Sequence, residues 1–574
     1  MPAIWIARLP APADELLQQL EVTGLPRDLA FLLAQRGVTT VAEAAAFLAP
    51  GHDSLHDPLQ LSGMQEALDL LLAAHERRSP VAVIGDYDVD GLTATALLLG
   101  VFRAVGIEAH GILPNRHAGG YGPQAMHIQQ AEELGCRLIV TADCGIQAHA
   151  AIAEANRRGI EVIVTDHHLP GNRPLGAAAV INPRQEGCSY PFQDLAGVGL
   201  ALKLGAALLQ RFGREVPWTA LFRIACLGTI ADAAPLVGEN RVLASRGLAS
   251  LSSTPSVGLQ ALLAEAEVGA PVSAHDVGFR IGPRLNAAGR LGAADPALEL
   301  LLTRDPVRAR ELAAQLGRFN SERRDLEKRV VDDCTARYSG RDLPRVIIGW
   351  STAWHRGVVG IAAGRLARLY HRPAVLFAVS EGDGIAVGSG RSVPGIDLHG
   401  FLRGWESRLA RFGGHAQAVG LTSDAAALEQ LAPEWEAAAA AWPPEKLEPE
   451  VEYDLPLRLA EVTPGLLERL ARLAPFGMGN PEPVFRLGPC RRAGELRLFG
   501  AGHCGFLVSA VADGRAAVGS SSVEVVAWQW AERAARNGAF DGEFEMLAAV
   551  EHDRFRNRPR LRLVDSRPAH PRTH

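Results

Sequence analysis

The stretch Val81-Ala82-Val83-Ile84-Gly85-Asp86-Tyr87-Asp88-Val89-Asp90-Gly91 decides how this chain is read. A short apolar run bounded by glycine reads as a buried strand, and the apolar segment from Leu92 to Val105 that follows reads as a helix packed close behind it. The same grammar recurs downstream. Leu138-Ile139-Val140, Glu161-Val162-Ile163-Val164 and Ala178-Ala179-Val180-Ile181 are short apolar runs that alternate with helical stretches. Such alternation argues a parallel sheet covered by helices on both faces. The first three runs are each followed within a few residues by an acid, and ligands in such sheets bind beyond the carboxyl ends of the strands. The acids are therefore expected to converge on one crevice.

Outward from this lobe, residues 1–80 read as a helical packing or lid segment, with Leu61, Met64, Leu68 and Leu71 at helical spacing. The parallel-sheet lobe spans 81–304. Asp305-Pro306 supplies an N-cap with proline in the first turn, and Leu312, Leu316, Phe319, Leu326 and Val330 carry a helical stripe, so 305–340 reads as a long connecting helix. A second α/β lobe is expected over 341–432, beginning at Val346-Ile347-Ile348 and including Pro373-Ala374-Val375-Leu376-Phe377. Pro443, Pro444 and Pro449 mark a linker, after which 450–566 reads as a small β domain with strands such as Val523-Glu524-Val525-Val526-Ala527-Trp528.

A chain of 574 residues is too long for one core, and 48% apolar with 21% charged residues is the balance of a soluble globular protein. The N-terminus has no secretion-signal pattern and the apolar runs are too short to span a bilayer, so no membrane association and a cytoplasmic location are expected. The seven cysteines are odd in number, scattered and never spaced as CxxC, which excludes a disulfide framework and a zinc ribbon. A net charge of -6 gives no global attraction to nucleic acid, so any such binding must rest on local patches.

Chemistry is concentrated at the strand ends. Asp86, Asp88 and Asp90 would repel one another in a dry crevice unless cations neutralise them. For one isolated aspartate, capping the following helix is the more ordinary role. Thr141-Ala142-Asp143-Cys144-Gly145 and Thr165-Asp166-His167-His168 again follow apolar strands, and Asp232 follows the apolar segment Leu221 to Leu227. A lone histidine is usually a structural hydrogen-bonder, but here two imidazoles join acids that share their position at strand ends. Carboxylates with imidazole and no thiolate suit Mn2+ or Mg2+, which could ionise a water and stabilise the leaving oxygen of a phosphoester.

With these motifs the chain resembles the DHH phosphoesterases, and within them the branch of single-strand-specific 5′ to 3′ exonucleases. The resemblance runs over nearly the whole chain and rests on Gly85 to Gly91, on Asp166-His167-His168, on Arg280-Ile281-Gly282-Pro283-Arg284-Leu285-Asn286-Ala287-Ala288-Gly289-Arg290 and on Pro475-Phe476-Gly477-Met478-Gly479-Asn480-Pro481-Glu482-Pro483. It implies a DHH catalytic lobe, a DHHA1 lobe and a C-terminal β-barrel of the oligonucleotide-binding fold. It implies two ions per active site, one held by Asp90, Asp143, His167 and Asp232, the other by Asp88 and Asp86 with the shared Asp143. His168 would lie close to the scissile phosphate. None of these positions departs from the family's pattern.

The resemblance further implies that Ser389 and Arg391, with Arg116 and Arg290, grip the 5′ phosphate or the terminal nucleotides, with Arg280 and Arg284 as alternatives that have a more structural reading. Asn286, His355, Ser392, Gly414 and His415 belong to segments of the same phosphate-directed kind, in which glycines open backbone amides to an anion. In the β domain, Arg554, Arg556, Arg558, Arg560 and Arg562 alternate with other residues and would share one face of a strand. With no acid among them they would make a track for a nucleic-acid backbone, and Pro559 argues for an edge or broken strand. The expected reaction releases 5′-mononucleotides from single-stranded DNA in recombination and repair, by a monomer whose partners are a single-strand-binding protein and a helicase. The chain ends soon after these arginines, so the additional C-terminal domain of some longer relatives is not expected.

Overall fold

The computed structural model describes residues 3–8, 13–114, 122–292, 294–338, 342–500, 502–512, 515–516, 522–537, 540–553 and 556–569. The chain divides into two compact units, one of Pro50–Leu447 with Gly477–Gly479, the other of Met1–Ala49 with Glu448–Phe476 and Asn480–His574. The helical segment expected over 1–80 is thereby split near Pro50. Its first part opens not with the expected helix but with a strand, Ile4–Ala7, paired in parallel with Glu450–Tyr453.

In the larger unit a five-stranded, wholly parallel sheet has the order Ala109–Ile112, Val81–Gly85, Leu138–Ala142, Glu161–Thr165, Ala179–Ile181. Alternation along each strand divides the apolar residues between two cores. Val81, Val83, Leu138, Val140 and Ile163 face helices Met64–Glu76, Val89–Val105 and Gly197–Arg211. Ala82, Ile84, Ile139, Val162 and Val164 face Ala125–Glu133 and His149–Arg157. This three-layer arrangement is the expected sandwich. The edge strand Ala109–Ile112 was not legible, because four residues that include His110 and Gly111 give no apolar run.

The connecting helix runs from Pro306 to Tyr338, and Asp305 accepts a hydrogen bond from Val307 N at 2.8 Å at its start. It leads into a second sheet of order Arg411–His415, Ala418–Asp424, Ile385–Arg391, Ala374–Val379, Ile347–Ser351, parallel only between the last two. Among the described residues no helix is long and apolar enough to cross a membrane.

In the smaller unit, strands Phe485–Phe499, Glu543–Asp553, Arg558–Pro568, Val523–Ala527 and His503–Ala512 pair in that order, and the last pairs with the first to close a barrel. Its core joins Phe485, Phe506, Val525, Phe544 and Leu561 to Leu20, Leu29 and Leu33 of the N-terminal helices. The Arg558–Pro568 strand is interior, which corrects the edge reading of Pro559. Its pairing with Val523–Ala527 covers only Leu561 and Arg562, so the missing N–H of Pro559 interrupts no ladder on that side.

Candidate metal centre and phosphate-binding lobe

The strand Val81–Gly85 ends at Asp86, and Asp88 caps the next helix, its Oδ1 accepting from Asp90 N at 3.0 Å and Gly91 N at 3.2 Å. Asp90 lies in the first turn of that helix, but its carboxylate does not cap its own helix. Oδ2 accepts from Gly197 N at 2.7 Å and Oδ1 from Val198 N at 2.8 Å, so the N-terminus of a different helix grips it as a fork. Asp143 follows the strand Leu138–Ala142 with φ 63°, a left-handed backbone that a non-glycine residue keeps only where its surroundings enforce it.

Around His167 the donors converge. Its Nε2 is buried and in no hydrogen-bonding geometry, yet lies 3.2 Å from Asp143 Oδ1, 3.8 Å from Asp232 Oδ2 and 3.9 Å from Asp90 Oδ2. Ligand atoms of Asp90, His167 and Asp232 all fall within 4.8 Å of one another, as do those of Asp86, Asp88 and Asp143 and those of Asp143, His167 and His168. An imidazole nitrogen without a donor or acceptor, facing three carboxylates, fits a divalent cation and fits little else.

Electrostatics agree with that fit. Burial, followed by the charge of Asp88, pushes Asp90 up to about 7, and burial followed by the charge of Asp90 pushes Asp232 to about 7. Burial and then the charges of Asp90, Asp88 and Asp86 hold Asp143 well above the carboxylate range. Burial lowers His167 and so favours the neutral imidazole, the form that ligates metal. His168 behaves in the opposite way. Burial opposes its charge, but the Asp166 hydrogen bond, 2.7 Å from Oδ1 to Nδ1, and the Asp166 charge outweigh it and raise the imidazole. Asp166 is therefore an orienting group, tied also to Ile146 N at 2.9 Å and His168 N at 3.0 Å.

Glycines let these groups approach. A Cβ on Gly197 would lie 2.4 Å from Asp143 Cβ, and one on Gly228 would lie 2.6 Å from Asp90 Oδ1. Gly197, Val198 and Gly228 were missed by sequence reading. They carry no reactive side chain, and the only signal was a pair of glycines opening an apolar helix.

Several residues expected at the DNA make bonds within the protein. Asn286 Oδ1 accepts from Val89 N at 3.0 Å, so it braces the helix that carries Asp90. Arg280 donates to Glu267 O at 2.7 Å and lies 3.5 Å from Asp276, and Arg284 donates to the Arg280 and Glu265 carbonyls, all structural bonds. Ser392 donates to Ile396 O at 2.7 Å within a loop, and His415 Nδ1 accepts from Gln417 N at 3.3 Å in a hairpin turn where Gly414 has φ 138°. Arg116 lies outside the described residues.

Ser389 and Arg391 do come together, with Arg391 Nη1 donating to Ser389 Oγ at 2.9 Å and to Gly390 O at 2.8 Å. Ser389 lines a cavity of about 480 Å³ with Arg356, Arg411, Phe412 and Thr422, floored by glycines including Gly413 and Gly420. The His355 loop turns beside it, His355 Nδ1 accepting from Gly357 N at 3.1 Å, and a Cβ on Gly357 would meet the Arg290 carbonyl at 2.3 Å.

The barrel arginines are not a bare cationic track. Arg556 and Arg558 both bond Glu524, the latter at 2.9 Å, Arg560 lies 2.6 Å from Glu551, and Arg562 pairs with Glu482. Glu524 and Glu551 come from neighbouring strands and Glu482 from the segment before the Phe485–Phe499 strand, which a one-strand reading does not see. Arg554 is outside the described residues.

Residues 80–229 match the family model described as "DHH family, N-terminal domain", 344–441 the "DHHA1 domain" and 453–565 the "RecJ OB domain". The chain is 37% identical over 473 residues to the single-stranded-DNA-specific exonuclease RecJ of Bacillus subtilis, a match that takes in 82% of this chain and 59% of that protein's length. To RecJ of Salmonella typhimurium it is 35% identical over 574 residues, 95% of this chain and 96% of that one. The structure of RecJ from Thermus thermophilus in complex with Mn2+ superposes with a TM-score of 0.82 at 32% identity, covering 99% of this chain and 80% of that one, and the Mg2+ complex gives 0.77 at 30% with 99% and 79% covered. The chain belongs to the RecJ family of single-stranded-DNA-specific exonucleases, within the DHH phosphoesterases.

Proposed function

We propose that this chain is a cytoplasmic 5′ to 3′ exonuclease that hydrolyses single-stranded DNA to 5′-mononucleotides in recombination and repair, using two Mn2+ or Mg2+ ions. The observation that carries the reading is His167 Nε2, buried and facing the carboxylates of Asp143, Asp232 and Asp90 at 3.2 to 3.9 Å. Asp90, Asp143, His167 and Asp232 would hold one ion, and Asp86 and Asp88, together with Asp143, would hold the other. Bound there, such ions activate water and neutralise charge on the phosphoester oxygens.

The protein's own groups supply orientation and proton control. The Gly197 and Val198 amides fix both oxygens of Asp90, so the ligand set is ordered before substrate arrives. The hydrogen bond and charge of Asp166 raise the His168 imidazole and so favour its charged form, which suits it to meet a phosphate oxygen. Arg391, oriented by Ser389 and the Gly390 carbonyl, holds the 5′ phosphate, with Arg290 and His355 completing the grip. A pocket that takes a terminal phosphate explains why cleavage starts at an end. The protein works as a monomer, and a helicase and a single-strand-binding protein are the partners that deliver its substrate. Hydrolysis of a long 5′-phosphorylated strand compared with that of a dinucleotide tests the reading. The long strand is expected to be strongly favoured, and preference for the dinucleotide would overturn it.

A further inference from the structure

Phe499, His503 and Trp528 form a ring cluster at one end of the barrel. Ring centroids are 5.7 Å apart for Phe499 and His503, 4.9 Å for His503 and Trp528, and 5.8 Å for Phe499 and Trp528. Phe499 is 40% and Trp528 45% exposed, a large apolar area to leave in water.

Register shows which face carries it. Phe499 is opposite His503 and Arg497 opposite Gly505, Gly505 is opposite Val526, and Val526 is paired with Arg562. Paired residues share a face of the sheet, so the rings lie on the outer face that also carries Arg497, Arg558, Arg560 and Arg562. Leu498, opposite Cys504, belongs to the other face. Gly505 lies against both, since a Cβ there would be in ordinary van der Waals contact with the Phe499 ring at 3.5 Å and with the Arg497 guanidinium at 4.0 Å.

Charge completes the pattern. Arg497, Arg556 and Arg558 all bond the one Glu524 carboxylate, and Asp553 lies 3.7 Å from Arg556. Three guanidiniums against two carboxylates leave an excess of positive charge beside the rings. Flat apolar faces next to cations complement a ligand that alternates flat rings with anions, which is the chemistry of an unpaired nucleic-acid strand.

We propose that Phe499, His503 and Trp528 are a base-stacking subsite for single-stranded nucleic acid on the outer face of the barrel, with Arg497 and Arg558 meeting the adjoining phosphates. The proposal rests on the single-strand reading above and deepens it by naming where bases, as distinct from phosphates, are held. The test measures binding of the full chain, with chelator present to prevent hydrolysis, to a labelled oligothymidylate and to an abasic-spacer strand of equal length and charge. Wild type is expected to prefer the base-bearing strand. The double variant Phe499→Ala, Trp528→Ala is expected to lose that preference through a roughly tenfold or greater drop in affinity for the base-bearing strand alone. Trp528→Phe should keep the preference, and Leu498→Ala, on the other face of the same strand, should leave it unchanged. Equal preference in the double variant and wild type would overturn the proposal, as would an equal loss in Leu498→Ala. Failure of wild type to bind either strand would sink the single-strand reading itself.

Discussion

The amide of Gly197 donates to Asp90 Oδ2 at 2.7 Å, and the same residue, lacking a Cβ, gives Asp143 the space it occupies. One position thus orients one acid and admits another. Gly197→Ala would place a methyl 2.4 Å from Asp143 Cβ. The expected result is a loss of about 10- to 100-fold in Mn2+ affinity, measured by calorimetry, with an overpacking cost of about 1–3 kcal/mol in stability. Val198→Ala keeps its amide and should bind Mn2+ as wild type does, although it also loses core packing. Equal loss in both variants would show that helix packing, and not the approach to Asp143, sets the affinity.

Acid-base linkage follows from the raised acids. A carboxyl whose folded-state value is above its unfolded one stabilises the fold at low pH, and that contribution is lost as pH rises through the folded value. Asp90 and Asp232, pushed to about 7, therefore make the metal-free protein less stable between pH 6 and pH 8. Melting temperatures in chelator should fall across that interval, and Mn2+ should flatten the dependence and release protons on binding at pH 6. A melting temperature in chelator that rises from pH 6 to pH 8 would contradict the assignment.

The acids at the strand ends were legible because each follows an apolar run, a local pattern. What orders them was not, because the Gly197 amide reaches Asp90 from 107 positions away and Asn286 reaches Val89 from 197. The same distinction explains the barrel. Arginine alternation along the sequence was readable, whereas Glu524, which pairs with two of them, lies 32 and 34 positions off and becomes a partner only when two strands pair in parallel. Arg280 and Asn286 share a motif from which a phosphate role is expected, and the bracing bonds they make in the structure, to Glu267 and Val89, join segments that no local pattern connects.

Glu524 is itself a test of the barrel. Burial opposes its charge, but hydrogen bonds from Arg556, Arg558 and Arg497 hold it down at about 2. A depressed carboxylate contributes stability above its unfolded value, and that contribution is lost as pH falls toward the folded one. Glu524→Gln should be less stable than wild type at pH 7 by about 1–3 kcal/mol, and the difference should shrink from pH 4.5 toward pH 2. Freed of their shared counter-ion, the arginines should bind single strands more tightly, with a salt slope steeper by about 0.7 for each phosphate gained. Unchanged affinity and slope would mean that this face does not meet DNA.

Hydrolysis at the Asp143 centre is expected to proceed from the 5′ end. The direct measurement is a time course on single strands labelled at one end or the other, with Mn2+, with Mg2+ and with chelator, for wild type and Asp143→Asn. Immediate release of the 5′ label as mononucleotide is expected while the 3′ label stays in long fragments, with no release in chelator or in the variant. Release of the 3′ label first, or hydrolysis that survives both chelator and Asp143→Asn, would contradict it.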